Sequence, residues 1–287
     1  MVKQGYRIKQ ASGKNVQFSL KRVEKSLRKA GTEESLIKEI LEKLPSILSD
    51  NTSTRDVYNL AYKMLKKRNK LVASKYSLKQ AIFALGPTGF PFERFIGAIF
   101  KDLNFKVEVG KEVQGKCVGH EVDVIAQDSG NINYMECKFH SDQGRKCNVK
   151  TPLYVHSRYS DILKAREMQH RDLSLVSNGW VVTNTRFTKD ALIYARCVGL
   201  KLLSWDEPKG KGLKDLIDQT GLYPITVSLL LSEREKAFLL SRDIVLCKDL
   251  IDDKFYLDHL EVSQERKARI MQEMQNLCDV KRKSYGK

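Results

Sequence analysis

The sequence predicts a multidomain protein of the α+β and α/β classes. It reads as a small β-hairpin followed by helices, then a central α/β core, then a helical C-terminal region. Three observations lead there. Short runs that alternate apolar and polar residues occur near the start and again between residues 105 and 203, where helical periodicity separates them, the pattern of an α/β layer. Elsewhere apolar residues recur mostly at helical spacing. Gly86-Pro87-Thr88-Gly89 and Pro208-Lys-Gly210-Lys-Gly212 divide the 287 residues into regions of usual domain size, 1–87, 88–208 and 209–287.

In the first region, Tyr6-Arg-Ile8 and Asn15-Val-Gln-Phe18 are predicted as strands around a turn at Ala11-Ser-Gly13-Lys14. Ser19 is placed to cap a helix with Val23, Leu27 and Ala30 on its apolar face, and Gly31 ends it. Leu36, Ile37, Ile40, Leu41 and Leu44 mark a second helix. Val57, Leu60, Ala61, Met64 and Leu65 mark a third, with Thr54 as its cap. A last helix runs through Ala73, Tyr76, Leu78, Ala81, Ile82 and Leu85. The basic run Lys63 to Lys70 closes the third helix, where cations suit the helix dipole. It reads as a solvated helix end, with a nucleic-acid contact as the other reading.

In the central region, Phe92, Phe95, Ile96, Ile99 and Phe100 form one helical stripe, with Glu93 beside it and Gly97 leaving room for close packing. Phe105 to Val109 alternates as a strand. Gly119-His-Glu-Val-Asp123-Val-Ile-Ala126 and Asn133-Tyr-Met-Glu136-Cys-Lys138-Phe139 are two more, joined by the turn residues Gln127-Asp-Ser-Gly130-Asn131. Alternation points Glu136 and Lys138 one way and Met135 and Cys137 the other, into an apolar layer. Asp123 lies on the partner strand, close enough for a twisted hairpin to join it to that pair. Two carboxylates suit a hard divalent ion, which lowers the pKa of a bound water and neutralises phosphoryl charge. A lysine beside them orients the attacking water or stabilises developing negative charge. Glu-x-Lys is also an ordinary solvated pair on an edge strand. Glu121 shares a face with Asp123 by its period of two, as a supporting acid or a solvated one.

After Lys138, the loop through His140, Gly144, Arg145 and Lys146 is suited to following a DNA phosphate chain. His140 is either a phosphate or water contact or chemically idle. Residues 149–164 read as a helix exposing Lys150, Arg158 and Lys164. Trp180 to Thr183 is a buried strand, Thr188 caps a helix, and Leu200 to Leu203 returns to the sheet. In the last region the 208–212 stretch is a flexible linker by composition. Helices follow at 213–217, 225–231, 233–241, 247–251 and from Ser263 to about Val280. The tail Lys281 to Lys287 adds unspecific phosphate attraction.

Composition bounds the partners. There are 51 basic and 35 acidic residues, a formal charge of +16, which favours a polyanion such as nucleic acid. Lysine-rich surfaces also serve solubility. No apolar run reaches the roughly 18–20 residues that span a bilayer, so no membrane partner is expected. The N-terminus carries no signal-peptide core, and the six cysteines form no Cys-x-x-Cys pair. A cytoplasmic protein with reduced thiols is expected. The five histidines give no metal-ligand spacing.

Asp123 followed by Glu136-Cys137-Lys138 resembles the Asp…Glu-x-Lys nuclease signature in its Mrr-like restriction endonuclease form. Phe90-Pro-Phe-Glu93-Arg-Phe-Ile96 resembles that family's first helix, Gly179 to Ala191 its later strand and helix, and Leu200 to Asp206 its closing strand. The resemblance implies a restriction-endonuclease-like core and a DNA endonuclease dependent on Mg²⁺ or Mn²⁺. Asp123, Glu136 and Glu93 would serve the metal, and Lys138 the attacking water. It further implies Lys150 and Arg158 as DNA contacts and a role in restriction or defence against foreign DNA.

The first region resembles the ATP-cone, through Ile8, Gly13, Phe18, Arg22-Val23, Thr54 and Tyr76. That implies ATP or dATP as an effector, with Ile8, Lys9, Gln10, Arg22 and Thr54 at the nucleotide. The family's Lys-Arg pair before the turn stands here as Gln10-Ala11, with Lys9 displaced by one, and Arg22 stands where a helix Lys is usual. Residues 240–250 resemble a helix-hairpin-helix unit without its glycines, either a DNA-backbone contact or a dimerising surface. A homo-oligomer is expected. Two other classes stay open: a nucleotide-responsive DNA-binding regulator with an inert nuclease fold, and a cone-driven oligomeric scaffold.

Overall fold

The structure is a computed structural model and describes residues 6–10, 13–49, 52–169, 174–253 and 255–279. Ala11 and the basic tail lie outside the described residues.

Strands β1 (Arg7–Lys9) and β2 (Asn15–Gln17) pair antiparallel, with Ile8 opposite Val16. Gly13 closes the turn at φ +79, a conformation glycine adopts without a Cβ clash. Five helices follow: α1 (Leu20–Lys29), α2 (Glu34–Lys43), α3 (Thr54–Arg68), α4 (Lys70–Tyr76) and α5 (Leu78–Phe83). Leu27, Ile37, Ile40, Leu44, Ala61 and Leu65 from α1 to α3 fill their shared core. The cap of α3 is Ser53, not Thr54. The Ser53 hydroxyl accepts from the Asp56 N–H, and the Asp56 carboxylate accepts from the Ser53 N–H at 2.8 Å. The single helix expected across Ala73 to Leu85 is two, broken at Ser77, whose hydroxyl donates to the Ser74 carbonyl.

Helix α6 (Phe90–Asp102) leads into a five-stranded mixed sheet. The elements of this region are β3 (Lys106–Gln114), β4 (Gly119–Gln127), β5 (Asn131–Lys138), the short β6 (Lys146–Cys147), α7 (Lys150–Met168), β7 (Val176–Thr183), the short β8 (Arg186–Phe187), α8 (Lys189–Cys197) and β9 (Lys201–Leu203), of which β6 and β8 pair only with each other, parallel. The sheet order is β3-β4-β5-β7-β9, antiparallel across the first three strands and parallel thereafter. Alternate residues serve opposite faces. Val124, Met135 and Val182 pack with α6, while Tyr134 and Val181 pack on the α7 and α8 side. Gly97 lets α6 ride directly on β3: an added Cβ would lie 2.9 Å from Val109 Cγ2.

The C-terminal helices are α9 (Leu213–Thr220), α10 (Glu233–Ser241), α11 (Cys247–Asp252), α12 (Phe255–Asp258) and α13 (Gln264–Cys278). The helix expected at 225–231 shrinks to a 3-10 turn, Ile225–Val227. The Glu273 carboxylate draws the next residues away from helical pairing, accepting from the Ser228 hydroxyl at 2.5 Å and the Leu229 N–H at 2.8 Å. The 208–212 stretch is a packed turn rather than a flexible linker. A Cβ on Gly212 would meet the Trp205 carbonyl at 2.8 Å, and the Leu213 N–H donates to the Ser204 carbonyl. The apolar core runs on past residues 87 and 208: Leu78, Ile82 and Leu85 share one cluster with Phe95, Tyr223 and Met274. Among the described residues no helix is long and apolar enough to cross a membrane.

Candidate functional site at the end of the central sheet

Asp128 closes the turn between β4 and β5, its Oδ1 accepting from the N–H groups of Gly130 and Asn131 at 2.8 and 2.6 Å. Val124 then pairs with Met135, which sets Asp123 beside Glu136. The β3–β4 ladder skips one step here, at Gly110 (φ +62) and Asp123. Across that step the alternation resets: Val124 packs with α6, but Val122 joins Tyr134 and Ile162 on the other face. Asp123 therefore stands where regular pairing stops, and its Oδ2 accepts from the Cys137 N–H at 2.6 Å. The period of two invoked for Glu121 does not hold through this point. Glu121 is exposed, and its charge acts on Glu93 and Glu136.

The carboxylates are crowded. The Asp123 carboxyl is pushed up to about 7, chiefly by burial and then by the Glu136 charge, with Glu93 adding to it. The Cys137 N–H and Arg158 oppose that rise. Glu136 is raised by burial against the pull of Arg158 and Lys138. Glu93, in the first turn of α6, is raised by burial and by Glu121 and Glu136. Each group disfavours its neighbours' ionised form, the condition that a cation or proton relieves.

Lys138 is exposed at the end of β5, and its carbonyl accepts from the Thr183 hydroxyl at 2.7 Å. The chain leaving it is clamped by the fully buried Asn184, whose amide accepts from the His140 N–H at 2.9 Å and donates to the His140 carbonyl at 2.8 Å. The His140 imidazole is held below its ordinary range by burial, Arg145 and Lys138, and its Nε2 is buried without a partner.

Arg158 departs from expectation. It is not exposed. Its guanidinium sits on the Glu136 carboxylate and donates to the Glu121 carbonyl, with only 17% of the side chain exposed. Helix α7 turns this face to the sheet because Val155 and Ile162 flank it in the core. Lys150 and Lys164 are exposed as expected. One turn further, Asp161 accepts from the Cys117 N–H at 3.1 Å and bonds His120 Nε2 at 2.9 Å, fastening the β3–β4 hairpin to α7. Sequence reasoning missed this pair, since nothing local links residues 120 and 161.

Asp123 and Glu136 offer the two carboxylates that Mg²⁺ needs when it keeps most of its waters. Among the described residues, no three His, Cys, Asp or Glu side chains converge to hold one ion. Glu93 is thus brought within electrostatic reach of the pair without completing a three-ligand group. All six cysteines are unpaired.

The five residues expected at a nucleotide do not share one cavity. Ile8 is core, 6% exposed, and Lys9 is exposed with its N–H donating to the Thr52 carbonyl. Gln10 and Thr54 line a cavity of about 200 Å³ with Lys79, Arg145 and Arg186. Arg22 lines the adjoining one, about 560 Å³. The basic residues that these cavities draw from the central core were not singled out as a set by the sequence.

A family model described as AF1548-like, C-terminal, matches residues 223–278, the segment from the 3-10 turn through α13. An uncharacterized protein of Archaeoglobus fulgidus is 33% identical over 153 residues, covering 53% of this chain and 82% of that protein. The crystal structure of a protein of unknown function, AF1548, superposes with a TM-score of 0.53 at 26% identity, over 67% of this chain and 98% of that one. The mixed sheet with its surrounding helices is thus shared with a solved fold, and the chain belongs to the AF1548-like family.

Proposed function

We propose that this protein is a metal-dependent DNA endonuclease that hydrolyses phosphodiester bonds at the Asp123, Glu136 and Lys138 end of the central sheet. The observation that carries the reading is the placement of Asp123 at the break in the β3–β4 ladder, next to Glu136 and bonded across to the strand that bears Lys138. A Mg²⁺ or Mn²⁺ ion there would supply a water of lowered pKa and neutralise phosphoryl charge. Asp123 and Glu136 would hold it, and Glu93, in the first turn of α6, would orient a water. The Lys138 ammonium donates to the attacking water or to a phosphoryl oxygen as negative charge develops. One P–O ester bond breaks, hydroxide joins phosphorus, and the leaving oxygen takes a proton.

The +16 charge supports a DNA substrate. The reading extends to restriction or defence against foreign DNA in the cytoplasm, by a homo-oligomer whose cone-like N-terminal region responds to ATP or dATP. The α10–α11 unit adds a backbone contact; Asp243, at φ 63, makes its turn. A second reading, an inert nuclease fold in a DNA-binding regulator, is favoured by Arg158 on Glu136. Plasmid cleavage with Mg²⁺ or Mn²⁺ separates them. Nicking or linearisation by the wild type, reduced by roughly 100-fold or more in Asp123→Ala and in Lys138→Ala, is expected. Equal metal-dependent cleavage in both variants refutes the site, and DNA binding without any product supports the regulator.

A further inference from the structure

The two basic cavities adjoin where the N-terminal helices meet the central core, and they share Lys79 and Arg186. The larger is walled by α1, by α4 and α5, by the 205–210 turn and by the start of α9. Eight of its eighteen lining residues are Lys or Arg and two are Asp. The smaller has four Lys or Arg among nine, and no acid. Both aspartates are already engaged, Asp206 with Arg186 at 2.8 Å and Asp215 with Lys29 at 3.8 Å. Burial, and then Arg186, holds the Lys79 ammonium below its ordinary range, and burial does the same to Lys214. Lys214 is likewise paired, with Asp218 at 3.6 Å, and the cations left over make a concave surface with an excess of positive charge, which raises the local concentration of polyanions.

The lining is not merely charged. Tyr58 and Tyr76 stack at 5.2 Å with 5° between their planes, and Lys79 Nζ lies 5.9 Å from the centre of the Trp205 ring. The Gln80 amide oxygen is buried there without a partner. The smaller cavity is bordered by residues 143–146, which follow the catalytic strand, and the His140 imidazole lies within reach of both Lys138 and Arg145. Cations therefore continue from Lys138 through Arg145, Lys146 and Arg186 to Lys79 and into the larger groove.

We propose that this belt is a track for the sugar–phosphate backbone of DNA, leading from the catalytic end of the sheet onto the N-terminal helices. The ligand class rests on the endonuclease reading. A nucleoside triphosphate gathers its charge in one short chain and meets only part of a set of ten cations spread over α1, α4, α5, residues 145 and 146, β8, the 205–210 turn and the start of α9. A DNA strand presents a phosphate every ~3.4 Å of rise and can engage them in succession. Aromatic faces beside such a groove accept unpaired bases.

The test is fluorescence anisotropy with a labelled DNA duplex and its separate single strands, across about 50 to 200 mM salt. Binding is measured in an Asp123→Ala background, so cleavage does not enter. Lys25→Glu, Lys29→Glu and Lys209→Glu together replace exposed groove cations. Affinity for one or both DNA forms is expected to fall at least roughly 10-fold, with the log–log salt slope shallower by about 2 to 3. Lys66→Glu with Lys67→Glu, on α3 outside both cavities, is expected to change either quantity far less. Circular dichroism and the milder Lys→Gln triple variant, expected to weaken binding in the same direction, separate this from misfolding. Unchanged DNA affinity and slope in the groove variants overturn the track. So does loss of ATP binding alone, which assigns the groove to a nucleotide. DNA binding through the groove without cleavage by the wild type leaves the track standing and removes the endonuclease reading.

Discussion

Replacing Asp123 by Asn is expected to stabilise the metal-free protein at neutral and alkaline pH. The carboxylate is partly buried beside Glu136, and its pKa rises from the ordinary 3.8 to about 7. Between those values the unfolded chain has released the proton that the folded chain still holds. Stability therefore falls as pH rises through that window and levels off above about 7. At about 1.36 kcal/mol per pH unit, the full penalty is on the order of 4 kcal/mol. Asn keeps an oxygen for the Cys137 N–H and removes the charge. Urea unfolding of the two proteins across pH 4 to 8.5 isolates the effect, because their difference cancels most other titrating groups. Asp123→Asn is expected to be more stable by about 2–4 kcal/mol at pH 8, with the advantage disappearing towards pH 4. Added Mg²⁺ is then expected to stabilise the wild type by about 2.7 kcal/mol at a hundredfold excess over Kd, and the variant by much less. A variant no more stable than wild type at pH 8, or a difference flat in pH, refutes the electrostatic account of the site. A pH-dependent difference without any Mg²⁺ effect keeps the crowding and removes the metal.

Two further substitutions probe the scaffold. Arg158→Gln leaves the partly buried Glu136 without its cation, and urea unfolding is expected to show a loss of about 3 kcal/mol in metal-free buffer, partly recovered by Mg²⁺; an unchanged midpoint means the ion pair contributes nothing. Gly97→Val places a Cβ 2.9 Å from Val109 Cγ2 and 3.3 Å from Val107 Cγ1. The overpacking is expected to cost about 2 kcal/mol, read as a lower urea midpoint at unchanged slope, and a neutral result means β3 moves away from α6.

Much of this molecule was legible because local signals and tertiary demands agree. The alternation in Tyr134, Met135 and Glu136 and the turn residues after Gln127 define the site hairpin, and the structure pairs Val124 with Met135 accordingly. Thr188 caps α8 as its position suggested, its hydroxyl accepting from the Ala191 N–H at 3.3 Å. The misses arise where one residue's partner is distant in sequence. Glu273 unwinds the 225–231 stretch from 44 residues away, and a single-sequence pattern of apolar residues carries no trace of it. Arg158 on a helix face between Val155 and Ile162 looked solvated because charged residues usually are, yet Glu136 lies across the sheet to receive it. The one signal that was available and unused is the polar run Thr183-Asn184-Thr185 at the end of an apolar strand. Buried polar side chains must find partners, and two of these three hold the chain around Lys138.

The same accounting explains why the site lies at this end of the sheet. A regular strand end directs its backbone groups to the next strand or to solvent, and its side chains remain free to rotate. Here, side chains take up backbone groups at the strand end at three positions: Asp123 takes the Cys137 N–H, Thr183 takes the Lys138 carbonyl, and Asn184 takes both backbone groups of His140. Each bond fixes the strand that carries Glu136 and Lys138 without consuming the Glu136 carboxylate or the Lys138 ammonium. Net hydrogen-bond energies of about 1 kcal/mol apiece are modest for the fold as a whole. Their effect on the site is larger, because they fix the backbone that carries two like-charged carboxylates beside one ammonium, where solvation alone would let the groups separate. A site held this way has its backbone geometry set before any ligand arrives, so a ligand that bound there would use its binding energy to offset charge repulsion instead of ordering side chains.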